Sequence, residues 1–183
     1  SEWRVPTETD WDTLFNSLLL DRATEYIIPE PEEGVFNKFI GVDVADKGKD
    51  KTIVSLIVDG VLTRQKRLNV PTTGEKPISE LYALELIKFA QQEGFTIREA
   101  RQIAIESNGV GVGMRDFMRS RGWMITEYTA TSRTRSDGFY NLHLDMDSGD
   151  LRMLSGLETM DQLRQQLMTH SYEMNDKLEP VVL

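Results

Sequence analysis

The sequence predicts an α/β fold: a mixed sheet of three antiparallel strands followed by two parallel strands, flanked by helices. Three observations carry this expectation. Apolar, β-branched runs of strand length crowd residues 38–70, helical apolar spacing begins near residue 78, and short apolar runs then alternate with helical stretches.

The run 38–45, Lys-Phe-Ile-Gly-Val-Asp-Val-Ala, has strand length and ends in polar residues. A turn at 47–50 leads into 52–58, which is rich in β-branched residues. Asp59-Gly60 is a strong hairpin signal, and 61–70 follows as a third strand. Residues 71–77 read as loop between prolines. Ile78, Leu81, Leu84, Ile87 and Ala90 recur every three residues, so 78–92 is predicted helical, with Gly94 ending it. The stretch 102–106 is a short buried strand, 107–113 a glycine-rich turn, 114–121 a helix and 123–129 a fifth strand. Leu157, Met160, Leu163 and Leu167 suggest one more helix.

Ahead of this region, Asp10 is a good N-cap, and Trp11, Leu14, Phe15 and Leu18 follow at helical spacing. Two prolines, three acids and a glycine at 29–34 break any helix. Residues 1–33 are therefore expected to be a helical segment and linker, and 34–183 the folded domain.

With 183 residues and 39 % apolar residues, the chain can bury a core. It has no cysteine, which excludes disulfides, thiolate zinc sites and a cysteine nucleophile. Two histidines, His143 and His170, are expected to be packed or exposed rather than metal ligands. No apolar run approaches 18 residues, so no membrane partner is expected. The net charge of −9 argues by itself against nucleic acid. The charge is uneven, however: net −7 over residues 1–33, +4 over 34–135 and −6 over 136–183.

Two acids stand out. Asp43 lies in an apolar strand, and alternation turns it away from Val42 and Val44. An acid in such a strand costs free energy unless it is paired, hydrogen-bonded or bound to metal. Glu106 ends the 102–106 strand, just before the glycine-rich turn. Acids at strand ends that face one site suit divalent-metal chemistry, because hard oxygen ligands select Mg²⁺ or Mn²⁺. Each acid also has a plain structural role open to it: Asp43 could cap a turn, and Glu106 could start a helix.

Three antiparallel strands, then helix, strand, helix and strand, is the order of the ribonuclease-H-like fold. In that fold an acid of the first strand and one ending the fourth lie side by side. The run 39–52, Phe-Ile-Gly-Val-Asp-Val-Ala-Asp-Lys-Gly-Lys-Asp-Lys-Thr, resembles the first nuclease motif of the large terminase subunit of tailed phages. The run 103–111, Ile-Ala-Ile-Glu-Ser-Asn-Gly-Val-Gly, resembles the second. The stretch 131–144, with Arg133, Asn141 and Leu142, is similar to the family's next segment. The resemblance covers roughly residues 36–183 and implies a metal-dependent endonuclease that cuts concatemeric double-stranded viral DNA with two divalent ions, Mg²⁺ or Mn²⁺. By that resemblance Asp43 bridges both ions and Glu106 binds one, while Asp50 matches a supporting acid. It further implies the ATPase domain, the small terminase subunit and the portal protein as partners, residues 1–33 as the connection from an ATPase domain, and the host cytoplasm as location. No Gly-x-x-x-x-Gly-Lys-Ser/Thr loop occurs, so the motor itself is absent from this sequence.

The family's third acid, in a Ser-Pro-Asp-like motif, has no counterpart here and is expected beyond Leu183. Asp145, Asp147 and Asp150 are substitutes by default and otherwise read as a solvated acidic turn. Residues 98–135 carry seven arginines against four acids. Among these arginines, Arg133 and Arg135 are expected in a phosphate-contacting loop. Other readings remain: a junction-resolvase-type nuclease, an actin-like nucleotide-binding module, or a catalytically silent interaction domain.

Overall fold

A computed structural model describes residues 13, 19–20, 37–45, 51–71, 75–154, 156–157, 159–169, 172–174 and 180–182. In chain order the strands are β1 (Leu19–Leu20), β2 (Lys38–Asp43), β3 (Ile53–Val58), β4 (Val61–Arg67), β5 (Ile103–Glu106), β6 (Thr126–Tyr128), β7 (Arg152–Leu154), β8 (Tyr172–Met174) and β9 (Pro180–Val182). The helices are α1 (Ile78–Gln92), α2 (Val110–Ser120), α3 (Ser132–Ser148) and α4 (Met160–Thr169), with a 3₁₀ helix over Ile97–Gln102. The expected linker at 29–34, Asp50 and His170 lie outside the described residues, as does the expected first helix apart from Thr13, which is helical.

The chain divides into two compact units. One contains the described residues of Pro29–Asp59 and Arg64–Ala130; the other contains those of Ser1–Ile28, Gly60–Thr63 and Thr131–Leu183.

The first of these holds the predicted β-β-β-α-β-α-β order, with β4 belonging to it from Arg64 on. β2 and β3 are antiparallel, with Ile40 opposite Leu56 and Val42 opposite Val54. β5 runs parallel to β2, and β6 runs parallel to β5. β4 continues from β3 through the Asp59-Gly60 turn. Asp59 at φ 49° and Gly60 at φ 74° have the left-handed backbone that a two-residue hairpin with matching twist requires.

Alternation along the strands decides which face is buried. Ile40 and Val42 of β2, Val54, Leu56 and Val58 of β3, and Ile103 and Ile105 of β5 share one core with residues of α1 and α2. The helices contribute Ala83, Leu86, Phe89 and Ala90 from α1 and Met114 and Met118 from α2. The opposite strand residues, Phe39, Gly41 and Asp43, are exposed. A buried Phe, Ile or Met contributes about 1.5–3 kcal/mol each, so this one-sided core is what holds the strand ends in register.

Several expectations are corrected. The deepest stripe of α1 is Ala83, Leu86, Phe89 and Ala90 rather than the every-third-residue set, which drifts around a helix of 3.6 residues per turn. The 3₁₀ turn at Ile97–Gln102 was not foreseen; Thr96 caps it, its hydroxyl and main-chain N–H both bonded to Glu99. The glycine-rich turn ends at Gly109, because α2 already begins at Val110 and takes Gly111 and Gly113 into its first turn. The fifth strand is shorter than expected, with buried Trp123 and Ile125 leading into it.

In the other unit, β7 runs parallel to both β1 and the start of β4. Strand pairing at Leu19–Leu20, β7 itself and the antiparallel β8–β9 hairpin were not foreseen. Each is two or three residues long, too short for a sequence period to reveal. α4 is the helix expected there, while α3 was not foreseen. No helix among the described residues is long and apolar enough to cross a membrane.

Candidate metal centre

Asp43 is the last residue of β2, and Glu106 is the last of β5. The two strands are parallel, and Val42 pairs with Ile105, so the next residue on each strand is one of the acids. Residues at the same level on neighbouring strands point to the same side. Val42 and Ile105 point into the core; the two carboxylates therefore share the opposite, open face at one sheet end. Asp43 is exposed and Glu106 partly so. The two acids singled out in the sequence are thus brought side by side.

Local structure fixes both ends. Just past Asp43, the Ala45 N–H donates to the hydroxyl of fully buried Thr52 at 3.2 Å, and the Thr52 carbonyl accepts from the Leu68 N–H at 2.9 Å. One residue thereby ties the outgoing chain of β2 to the start of β3. Past Glu106, the Ser107 N–H donates to the Tyr128 carbonyl at 2.8 Å, continuing the ladder towards β6. The Asn108 side-chain amide donates to Glu106 Oε1 at 2.9 Å, which limits the rotation of the carboxylate. Gly109, at φ 50°, makes the sharp entry to α2. Thr52 and Asn108 were not singled out in the sequence. The signal for Asn108 was its place two residues after an acid at a strand end, a spacing at which a short amide can reach back.

A pair of carboxylates at adjacent strand ends suits a hard divalent cation. Among the described residues, no group of three His, Cys, Asp or Glu side chains gathers. The described residues therefore bring together two carboxylates at this sheet end.

The arginine-rich stretch is less available than its composition suggests. Arg115 bonds to Asp116 and to Glu127, the latter at 2.8 Å, and Arg119 reaches Glu127 at 2.5 Å. The bonds to Glu127 cross from α2 to β6 on the helix side of the sheet. They hold the Glu127 carboxyl below the usual carboxylate range, the Arg115 hydrogen bond being the main cause. The Arg115 guanidinium is raised in turn, first by its bond to Asp116 and then by that to Glu127. The Arg121 guanidinium sits 4.4 Å from the Phe117 ring centroid.

The expected phosphate-contacting loop is instead the first turn of α3. Thr131 is the N-cap, and its hydroxyl accepts from the Thr134 N–H at 3.1 Å. Arg133 is 84 % exposed and lies 3.8 Å from Asp137, one turn on. Arg135 is also exposed. Two residues apart on a helix, the two arginines project to different sides. The Thr-Ser-Arg-Thr-Arg run read as loop because its polar residues hide a capping box. Asp145 and Asp147 likewise lie in the last turns of α3 rather than in an acidic turn, with Asp150 following the left-handed Gly149. His143 is within α3.

The backbone order, the register and the paired acids can be set beside known proteins. The magnesium-bound nuclease of the large terminase from the thermophilic phage G20c superposes with a TM-score of 0.58 at 18 % identity, over 79 % of this chain and 70 % of that one. The fold is that of the large-terminase nucleases. A manganese-bound variant of the nuclease domain of the bacterial virus Sf6 large terminase superposes at a TM-score of 0.57, with 13 % identity over 81 % of this chain and 77 % of that one. The large terminase nuclease domain of a Thermus phage superposes at a TM-score of 0.54, with 17 % identity over 79 % of this chain and 68 % of that one. No protein-family model matches the sequence, and no curated protein matches it. The terminase-nuclease fold is the ribonuclease-H-like arrangement expected from the element order, an antiparallel then parallel sheet flanked by helices.

Proposed function

We propose that the chain is the nuclease domain of a viral DNA-packaging terminase, an endodeoxyribonuclease that cuts concatemeric double-stranded DNA with two Mg²⁺ or Mn²⁺ ions. The observation that carries this reading is the Asp43–Glu106 pair at the ends of adjacent parallel strands, in a fold shared with terminase nucleases that carry bound metal.

In this reading Asp43 and Glu106 would hold the divalent ions. When bound, the ions supply an activated water as nucleophile and neutralise charge on the leaving oxygen. The protein's own part is to hold the carboxylates. The Thr52 hydroxyl and the Asn108 amide each fix the chain or side chain next to an acid. Asp50 is a supporting acid, and the third catalytic acid is not among the described residues. Arg133 and Arg135 contact phosphates, and residues 1–33 connect to an ATPase domain. The small terminase subunit and the portal are the packaging partners, in the host cytoplasm.

The test is nicking of supercoiled plasmid by the purified protein with Mn²⁺, with and without chelator. Asp43→Ala and Glu106→Ala are expected to reduce cutting to background while melting like the parent. Full activity in Asp43→Ala would overturn the site. Cutting that survives chelation would overturn the metal chemistry.

A further inference from the structure

We propose that Tyr128 contacts the substrate, providing the aromatic surface against which a nucleotide of the DNA strand packs beside Asp43 and Glu106. The inference rests on the nuclease reading above and assigns a side chain that reading leaves unused.

Register places the side chain. β5 and β6 are parallel, with Glu106 opposite Tyr128, Ile105 opposite Glu127 and Ala104 opposite Thr126. Ile105 points into the core, and Glu127 at the same level meets Arg115 and Arg119 of α2 on that side. Tyr128 therefore stands on the other face, at the level of Glu106 and hence of Asp43. Three neighbouring strands end in an acid, an acid and a phenol along one row.

Packing does not account for the phenol. Tyr128 is 39 % exposed, one of few large apolar-bodied side chains left so open among the described residues. Its main chain is held without it, because the Tyr128 carbonyl accepts from Ser107. The row below is small: Gly41 pairs with Ala104, and Ala104 with Thr126. A Cβ built at Gly41 meets nothing within 4 Å, so the face beside the acids is a low floor rather than a packed surface. Bases stacked inside a duplex cover one another, so the ring acts on a base unstacked at the cut, whose π-face it meets at any sequence.

The experiment measures KM and kcat for Mn²⁺-dependent cutting of a labelled DNA duplex by the purified protein and by Tyr128→Phe, Tyr128→Ala and Tyr128→Leu. Ala and Leu are expected to raise KM roughly ten-fold, the scale of one lost stacking contact. Phe should stay within about two-fold of the parent, since the ring is kept. The Mn²⁺ concentration for half-maximal cutting should not move. The Leu variant keeps apolar bulk at the site and so serves if Ala fails to fold. Unchanged KM in both Ala and Leu, or a loss of kcat alone, overturns the role of Tyr128 while leaving the nuclease reading intact. Absence of cutting by the parent protein overturns both.

Discussion

The main-chain carbonyl oxygen of Glu106 occupies the place that a Cβ at Gly111 would take. The first turn of α2 is thus set directly against the end of β5, and the residue that needs this closeness is the one carrying a candidate metal ligand. The obstructing atom belongs to the backbone and cannot rotate aside.

Gly111→Ala tests this relationship. Helix propensity alone would favour Ala by up to about 1 kcal/mol. Forcing a methyl into a closed space costs about 1–3 kcal/mol, so the expected outcome is a net loss of roughly 1 kcal/mol in urea unfolding. Cutting should fall as well, because relief of the clash displaces Glu106. An unchanged midpoint with unchanged cutting would show that the close approach carries no energy.

Glu127 makes stability depend on acid. Its folded carboxyl titrates below the usual range, chiefly through the Arg115 hydrogen bond and then through that of Arg119. A depressed carboxyl contributes stability that is present above the unfolded carboxylate range and is lost as pH falls through the folded value. Glu99, lowered by its bonds to Thr96, acts in the same direction. Thermal melts of the parent and of Glu127→Gln are therefore expected to differ at neutral pH and to converge in acid. A difference that persists undiminished in strong acid would contradict the assignment.

Arg133 and Arg135 are expected to act as separate phosphate contacts, since they leave α3 on different sides. Each single Ala substitution should weaken DNA binding and reduce the slope of log affinity against log salt by about 1. The double variant should show the sum of both changes. A salt series by fluorescence anisotropy with identical slopes for the parent and the double variant would reject the role.

Most of the first unit was legible because its strands and helices are long enough to display a period. β2 and β3 are apolar runs of strand length, Asp59-Gly60 marks its own turn, and α1 carries apolar residues along its length. Asp43 and Glu106 were legible for a related reason: a charge in or at the end of an apolar strand is conspicuous. Thr131, Ser132, Arg133 and Thr134 were misread because capping residues are also loop residues. The strands at Leu19–Leu20 and Arg152–Leu154 were illegible, because hydrogen bonds to distant partners define them rather than any local pattern.

By itself, the sequence determined the order of elements from β2 to β6 and the two acids worth following. These are properties of periodicity, and periodicity is local. Only the tertiary structure decided that Asp43 and Glu106 stand level, that Tyr128 completes their row, and that Glu127 engages two of the arginines. Register between strands far apart in sequence is set by how a whole sheet packs under α1 and α2, and a one-residue slip would send either acid to the wrong face.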